Sequence, residues 1–262
     1  MKRLRYYFKI WWQINVRQII PTLSHNWTFL IFLLGKIIRF FLFGAFIVFL
    51  VRGSNSLAGY SLNQIIFFYL TFFLIDTISQ FLFREVYRFR PQIISGSFDL
   101  VLVKPINPLF RSLMGGADAI DLLTLFPLIG LVFYYGFSLS PSILHTTFYI
   151  LLVFNGLLLS AAFHVSVLAL GIITLEIDHT VMIFRDLESL ARFPIDIYKE
   201  PLKSILLFGL PIGLMITVPA KALMGLVNLW GVLGAVVFGV IAFYFSLKFW
   251  NFALKKYTSA SS

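Results

Sequence analysis

The sequence predicts an all-α integral membrane protein with six transmembrane helices, on three observations. Of the 262 residues, 60% are apolar and only 12% are charged, where a soluble domain carries about a quarter. Uncharged runs recur that are long enough to cross a ~30 Å hydrocarbon core, for which about 20 apolar residues suffice. The cations behind the net charge of +10 cluster beside those runs, as the positive-inside rule requires. That distribution makes the basic balance a membrane signal, so no nucleic-acid partner is expected. The absence of cysteine excludes a disulfide framework, a thiolate metal site and a cysteine nucleophile.

Residues 1–25 read as an amphipathic interfacial helix. Lys2, Arg3, Arg5, Lys9 and Arg17 interleave with Tyr6, Phe8, Trp11 and Trp12. Rings at headgroup depth and cations toward anionic lipid are what such a helix needs, so membrane lipids are an expected partner. The stretch lacks a short apolar core ending in a small-residue cleavage site and is not read as a cleaved signal peptide. No acid precedes Asp76, which places this end in the cytoplasm.

The first span lies within Trp27–Val51, with Lys36 and Arg39 expected to snorkel to the cytoplasmic interface. Residues 52–56 turn outside, and Ser61–Phe83 is the second span. A third, Leu122–Leu139, holds Pro127. A fourth, Ile143–Ile173, follows the outer turn Ser140-Pro141-Ser142 and contains no Asp, Glu, Lys or Arg.

The stretch 174–198 is ambiguous, because Asp178, Arg185, Asp186, Glu188, Arg192 and Asp196 sit among apolar residues, and hydropathy alone makes it a cytoplasmic amphipathic helix. The next apolar run, Ser204–Ala220, has 17 residues and is broken by Pro211 and Pro219. Ala222–Leu247 is the last span, and Lys248, Lys255 and Lys256 put the following tail in the cytoplasm. Two cytoplasmic ends require an even number of crossings, and six fits the lengths. The chain reads as one transmembrane domain, 1–262.

Chemistry is sparse. There is no Gly-x-x-x-x-Gly-Lys-Ser/Thr phosphate loop. His25, His145, His164 and His179 are scattered, and Glu176-x-Asp178-His179 matches no ligand spacing, so no metal is expected. Asp118 and Asp121 share a helix face at i and i+3. They read as acids at a helix N-terminus, the alternative being a membrane enzyme of lipid metabolism. Asp76 is the one carboxylate deep in an apolar span, with Gln80 near it. Intramembrane polar residues mark pathways, so Asp76, Gln80, Asn155 and His164 are the candidate substrate path. The competing account is interhelical hydrogen bonding, with Asp76 joined to Arg39 or Asn155. No residue is read as catalytic.

One polar island interrupts the spans. Arg84–Arg111 carries five Lys/Arg against two acids. Gly96 permits a turn with positive φ, and Lys104-Pro105 and Asn107-Pro108 end the segments. Apolar residues such as Ile94, Phe98 and Leu100 alternate with the polar ones and want a protein groove.

Four motifs together resemble one family. Residues 94–106, ISGSFDLVLVKPI, are similar to the cytoplasmic signature of bacterial ABC-exporter permeases of the second export class, the ABC-2 type. Arg192-Phe193-Pro194-Ile195-Asp196-Ile197-Tyr198 resembles that family's Phe-Pro-x-x-Ile-Tyr element. Leu210-Pro211-Ile212 with Val218-Pro219-Ala220 resembles its closing pair, and Gly59-Tyr60-Ser61 its Gly-Trp-Ser. Ser97 and Tyr60 depart from the usual acid and tryptophan.

The resemblance implies a connecting helix at 1–25 and a cytoplasmic coupling helix between spans two and three. Arg84, Arg88, Gly96, Asp99, Lys104 and Pro105 would couple to the ATPase. It also makes Ile173–Phe193 a polar fifth span and 194–223 a re-entrant outer element marked by Phe193, Pro194, Tyr198, Pro211 and Pro219. The rival assignment keeps 174–193 cytoplasmic and makes Ser204–Ala220 the fifth crossing. Implied partners are two ABC ATPase subunits on another polypeptide and a second permease, a copy or a paralogue. ATP and Mg would bind the ATPase, leaving this chain without a cofactor. The implied function is ATP-driven export of a hydrophobic or amphipathic substrate across the bacterial inner membrane by alternating access. The alternative is an ATP-independent, ion-coupled transporter or channel using Asp76.

Overall fold

A computed structural model describes residues 2–24, 26–54, 56–175 and 177–258. His25, Asn55 and Glu176 therefore lie outside the described residues. All regular structure among the described residues is helical apart from one bridge between Leu57 and Tyr60. The order is α1 (Lys2–Ser24), α2 (Asn26–Ser54), α3 (Leu62–Phe83), a 3₁₀ turn Arg84–Arg88, α4 (Phe89–Ile94), α5 (Ser97–Leu102) and α6 (Pro108–Met114). There follow α7 (Ala119–Ser138), α8 (Ile143–Thr174) and α9 (Asp178–Ser189). Two short limbs, Leu202–Gly209 and Gly213–Leu223, lead to the last helix, α10 (Leu229–Lys255).

Among the described residues, five helices are long and apolar enough to cross a membrane: α2, α3 with its extension to Ile94, α7, α8 and α10. The two limbs, bent by 75° at their break, make a sixth if they cross as one. Local chemistry sets where the helices begin. Ser61 N–H donates to Gln64 Oε1 at 2.8 Å to start α3. Asp118, Ser142 and Asn228 accept from Ile120, His145 and Gly231 N–H at the starts of α7, α8 and α10. Each such cap stabilises its helix by about 1 kcal/mol.

The central pair is α3 and α8. Phe67, Phe68, Ile75, Leu152, Val165 and Leu168 are all almost fully buried. Gly156 is what lets α8 approach the limbs, because a Cβ there would sit 2.5 Å from the Met215 carbonyl oxygen. By contrast α2 keeps Ile31, Phe32, Phe41, Leu42 and Phe49 exposed, which suits a helix facing lipid or another chain.

The ambiguous stretch lies alongside α3. Asp178 pairs with Arg90 at 3.3 Å, and Arg185 lies over the Tyr87 ring. Further along, Arg192 lies over Phe43 and Phe72, and Asp196 accepts from Tyr60 at 3.0 Å. Those partners run from the end bearing the basic island, here the basic end, to the far end where α2 turns into α3. Residues 178–196 therefore run antiparallel to α3 over its whole length, which a helix lying flat on one surface does not do. Lys203 and Lys221 both reach Asp196, at 3.3 and 2.5 Å. The first limb thus starts, and the second ends, at the same level.

Lys36 does not snorkel. It donates to Asp121 at 2.6 Å and Thr124 at 2.8 Å on α7, because a carboxylate within reach satisfies the ammonium better than a detour to the interface.

Candidate functional site

Two features at the basic end combine polar chemistry with open surface. The first is a knuckle built by the 3₁₀ turn, α4 and α5. Gly96, at φ 70°, reverses the chain in the left-handed region open to glycine without strain. Ser97 Oγ donates to Gln92 O at 3.2 Å to close the turn. Phe98 is fully buried against Phe89, Trp250 and Tyr257, so α5 stands on the end of α10. The Tyr257 hydroxyl donates to Asp99 Oδ1 at 2.8 Å. Burial first, then the Asp99 carboxylate, push the Tyr257 phenol up to about 12, so it remains a donor at physiological pH.

Behind the knuckle sits Glu85, 2% exposed, accepting from Arg111 at 2.8 Å, Gln92 at 2.9 Å and Arg88 at 3.3 Å. Arg84 pairs with Asp118 at 3.1 Å and lies 3.9 Å from Asp121. Arg84 and Arg88 thus brace the base of the knuckle, while Lys104 and Pro105 are exposed beside its tip. The tip itself is apolar: Ile94, Leu100 and Val103 are 56, 60 and 80% exposed. Helix α1 is fastened to it, Tyr6 donating to Pro105 O and Tyr7 accepting from Asn107 N–H, each at 3.3 Å.

The second feature is a cleft of about 860 Å³ between α2, α3, the start of α7, and α9 with the segment after it. Its walls carry Lys36, Arg39, Arg84, Arg88, Arg185 and Arg192 against Asp76, Asp118 and Asp121. Four of these cations come from residues that the sequence shows only as scattered charges.

Of the candidate path residues, Asp76 and Gln80 line this cleft. Asn155 and His164 are elsewhere. Asn155 donates to Ala235 O on α10 at 3.0 Å, and so is not joined to Asp76. Buried His164 is hydrogen-bonded through Nδ1 to Ser160 O at 2.8 Å and packs against Phe83, Phe163 and Phe184. Both hold α8 in place.

At the far end, Phe193 packs on Phe43, and Tyr198 donates to Leu190 O at 2.7 Å. Pro219 opens the helical end of the second limb, and Pro211 sits at the break between the limbs. Burial would raise the Asp196 carboxyl, but Lys221, Tyr60 and Lys203 outweigh it and hold the group below the usual carboxylate range. Sequence reading missed this junction and Glu85. Locally Asp196 shows only as an acid between two isoleucines and Glu85 as an acid beside Arg84, and Tyr60, Lys221 and Arg111, which complete their pairings, lie well away along the chain.

Residues 33–261 match the family model described as ABC-2 family transporter protein, a match that spans the knuckle and most of the cleft. Comparison with curated proteins and with solved structures found no match.

Proposed function

This chain belongs to the ABC-2 family of transporter proteins and is a membrane-embedded permease subunit, and on that footing we propose that it works in an ATP-driven exporter. The basic end faces the cytoplasm of a bacterium, where the knuckle docks in a groove of a separate ATPase subunit that carries ATP and Mg. Two ATPases and a second permease, a copy or a paralogue, complete the transporter. Residues 178–193 act as the polar fifth span. The limbs of 194–223 form a re-entrant element at the outer face, a fold tolerated where neighbouring protein satisfies broken backbone. ATP-driven closure of the ATPases tilts the knuckle, and the spans alternate between inward and outward access for an amphipathic substrate.

The observation that carries this reading is the exposed apolar tip, Ile94–Leu100–Val103, set on a rigid pedestal of Phe98, Trp250 and Tyr257. An apolar patch on a well-packed mount is what a docking partner needs, and the mount joins α3 to α10, so motion at the tip reaches two long helices.

The test uses the cysteine-free chain. A Val103→Cys variant, which carries the one thiol in the permease, is coexpressed with an ABC ATPase subunit from the same organism and probed with a thiol crosslinker. The expected outcome is a permease–ATPase adduct, with Leu100→Asp abolishing both adduct and ATP-dependent transport. Normal ATP-driven transport by Leu100→Asp overturns the docking role. Transport driven by a proton gradient with no ATPase bound overturns the ATP-driven reading.

A further inference from the structure

Resting on the permease reading, we infer that the cationic cleft and the apolar slot beside it form one site for an anionic amphiphile drawn from the inner leaflet. The charges of the cleft do not cancel. Lys36 and Arg84 are committed to Asp121 and Asp118, and Arg88 to Glu85. That leaves Arg39, Arg185 and Arg192 facing the cleft, three cations against Asp76 on its walls and the buried Glu188 behind them, whose charge acts on Arg185 and Arg192. Arg39 makes no ion pair among the described residues, and it stands about one turn beyond Lys36 as the last charge on α2 before Arg52. Arg192 lies over Phe43 and Phe72, 4.9 and 5.6 Å from their ring centres, and its buried Nε has no hydrogen-bond acceptor among the described residues. A guanidinium clamped by two rings with a donor unused is prepared for an oxyanion, which arginine binds through paired N–H groups.

The slot supplies the other half of the ligand. A cavity of about 220 Å³ lies between α2, α3 and α7, lined chiefly by Phe40, Phe41, Phe73, Leu128 and Leu131. It shares Lys36 and Phe73 with the cleft, so the two spaces adjoin. The slot lies toward the membrane middle, since Phe40 and Leu131 are further along their helices from the basic end than Lys36 and Asp121. A headgroup in the cleft therefore places a single apolar chain in the slot, parallel to the lipid tails. Exposed Phe32 and Phe41 on α2 leave the entrance facing lipid. A free inorganic anion uses the arginines but leaves the slot empty.

The test measures equilibrium binding of radiolabelled dodecyl phosphate to the full-length permease in nonionic detergent, without ATP or ATPase. Saturable binding is expected, weakened about tenfold or more by Arg39→Gln and by Arg192→Gln, as loss of a charged hydrogen bond implies. Arg39→Lys is expected to retain most of it. Leu131→Trp, which fills the slot, is expected to weaken dodecyl phosphate, and millimolar inorganic phosphate is expected not to compete. Arg39 is exposed, so its Gln variant keeps its fold and carries the test even where Arg192→Gln does not. Unchanged binding by Arg39→Gln, or equal competition by dodecanol or by inorganic phosphate, overturns the inference. Because the Val103→Cys crosslink does not involve the cleft, it continues to report on ATPase docking whichever way the binding experiment falls.

Discussion

The hydroxyl of Tyr257 donates to Asp99 Oδ1 at 2.8 Å, joining the residue just past the last helix to the turn that bears the knuckle. A hydrogen bond to a carboxylate of this kind contributes about 1.5–3 kcal/mol when well shielded, and less here because both groups are partly exposed. Tyr257→Phe is therefore expected to leave the permease assembled and ATPase-bound. Amide exchange across residues 97–103 should quicken several-fold, with ATP turnover less tightly tied to transport. Unchanged exchange in that segment counts against the link.

Glu85 gathers Arg111, Arg88 and Gln92 around one buried carboxylate. Removing one partner of a buried pair strands the rest, at a cost of about 3–5 kcal/mol. Arg111 is only partly buried, so the lower value applies to Glu85→Gln. The variant should unfold several degrees lower in detergent, and Glu85→Ala lower still. A melting temperature equal to that of the native chain would show that the arginines find other partners.

Acid should loosen the far end. Asp196 has a carboxyl held below the usual range once burial is outweighed by Lys221, Tyr60 and Lys203. A depressed folded pKa means that the junction's contribution is complete above the ordinary aspartate value of about 3.9 and is lost as pH falls through the lowered one. The stability gap between native and Asp196→Asn should stay constant from neutral pH to about 5 and shrink below about 4. Lys221→Met should move the onset of that loss to higher pH. Melting curves from pH 3 to 7 read all three.

Gly156 faces the carbonyl of Met215 at a distance that admits no Cβ. Gly156→Ala should cost about 1–3 kcal/mol by overpacking, seen in thermal unfolding, whereas Gly130→Ala, where a Cβ meets nothing within 4 Å, should be close to neutral.

The long helices were legible because an uncharged run of sufficient length has few places to go. Ile143–Ile173 in the sequence becomes Ile143–Thr174 in the structure. Gly96 was legible too, since a reversal between two short apolar segments asks for positive φ. Residues 178–196 resisted, because hydropathy averages over Arg185 and Arg192 without knowing that the rings of Tyr87, Phe43 and Phe72 receive them. The Lys36–Asp121 pair spans 85 residues, and nothing local at either position announces the other. The cleft was half legible: Asp76 and Gln80 stood out as polar residues in an apolar span, but Arg39 and Arg192 meet only once the chain has folded.

Tyr6 and Tyr7 hold the backbone at Pro105 and Asn107, and the same helix carries Phe8 and Trp12 outward. In the proposed exporter, with this helix lying in the headgroup layer, a displacement of the knuckle draws a row of aromatic rings along with it. On the proposed ATP-driven reading, the membrane surface becomes a mechanical load on the motion of the knuckle, and the stiffness of the lipid helps set how far that motion carries the permease.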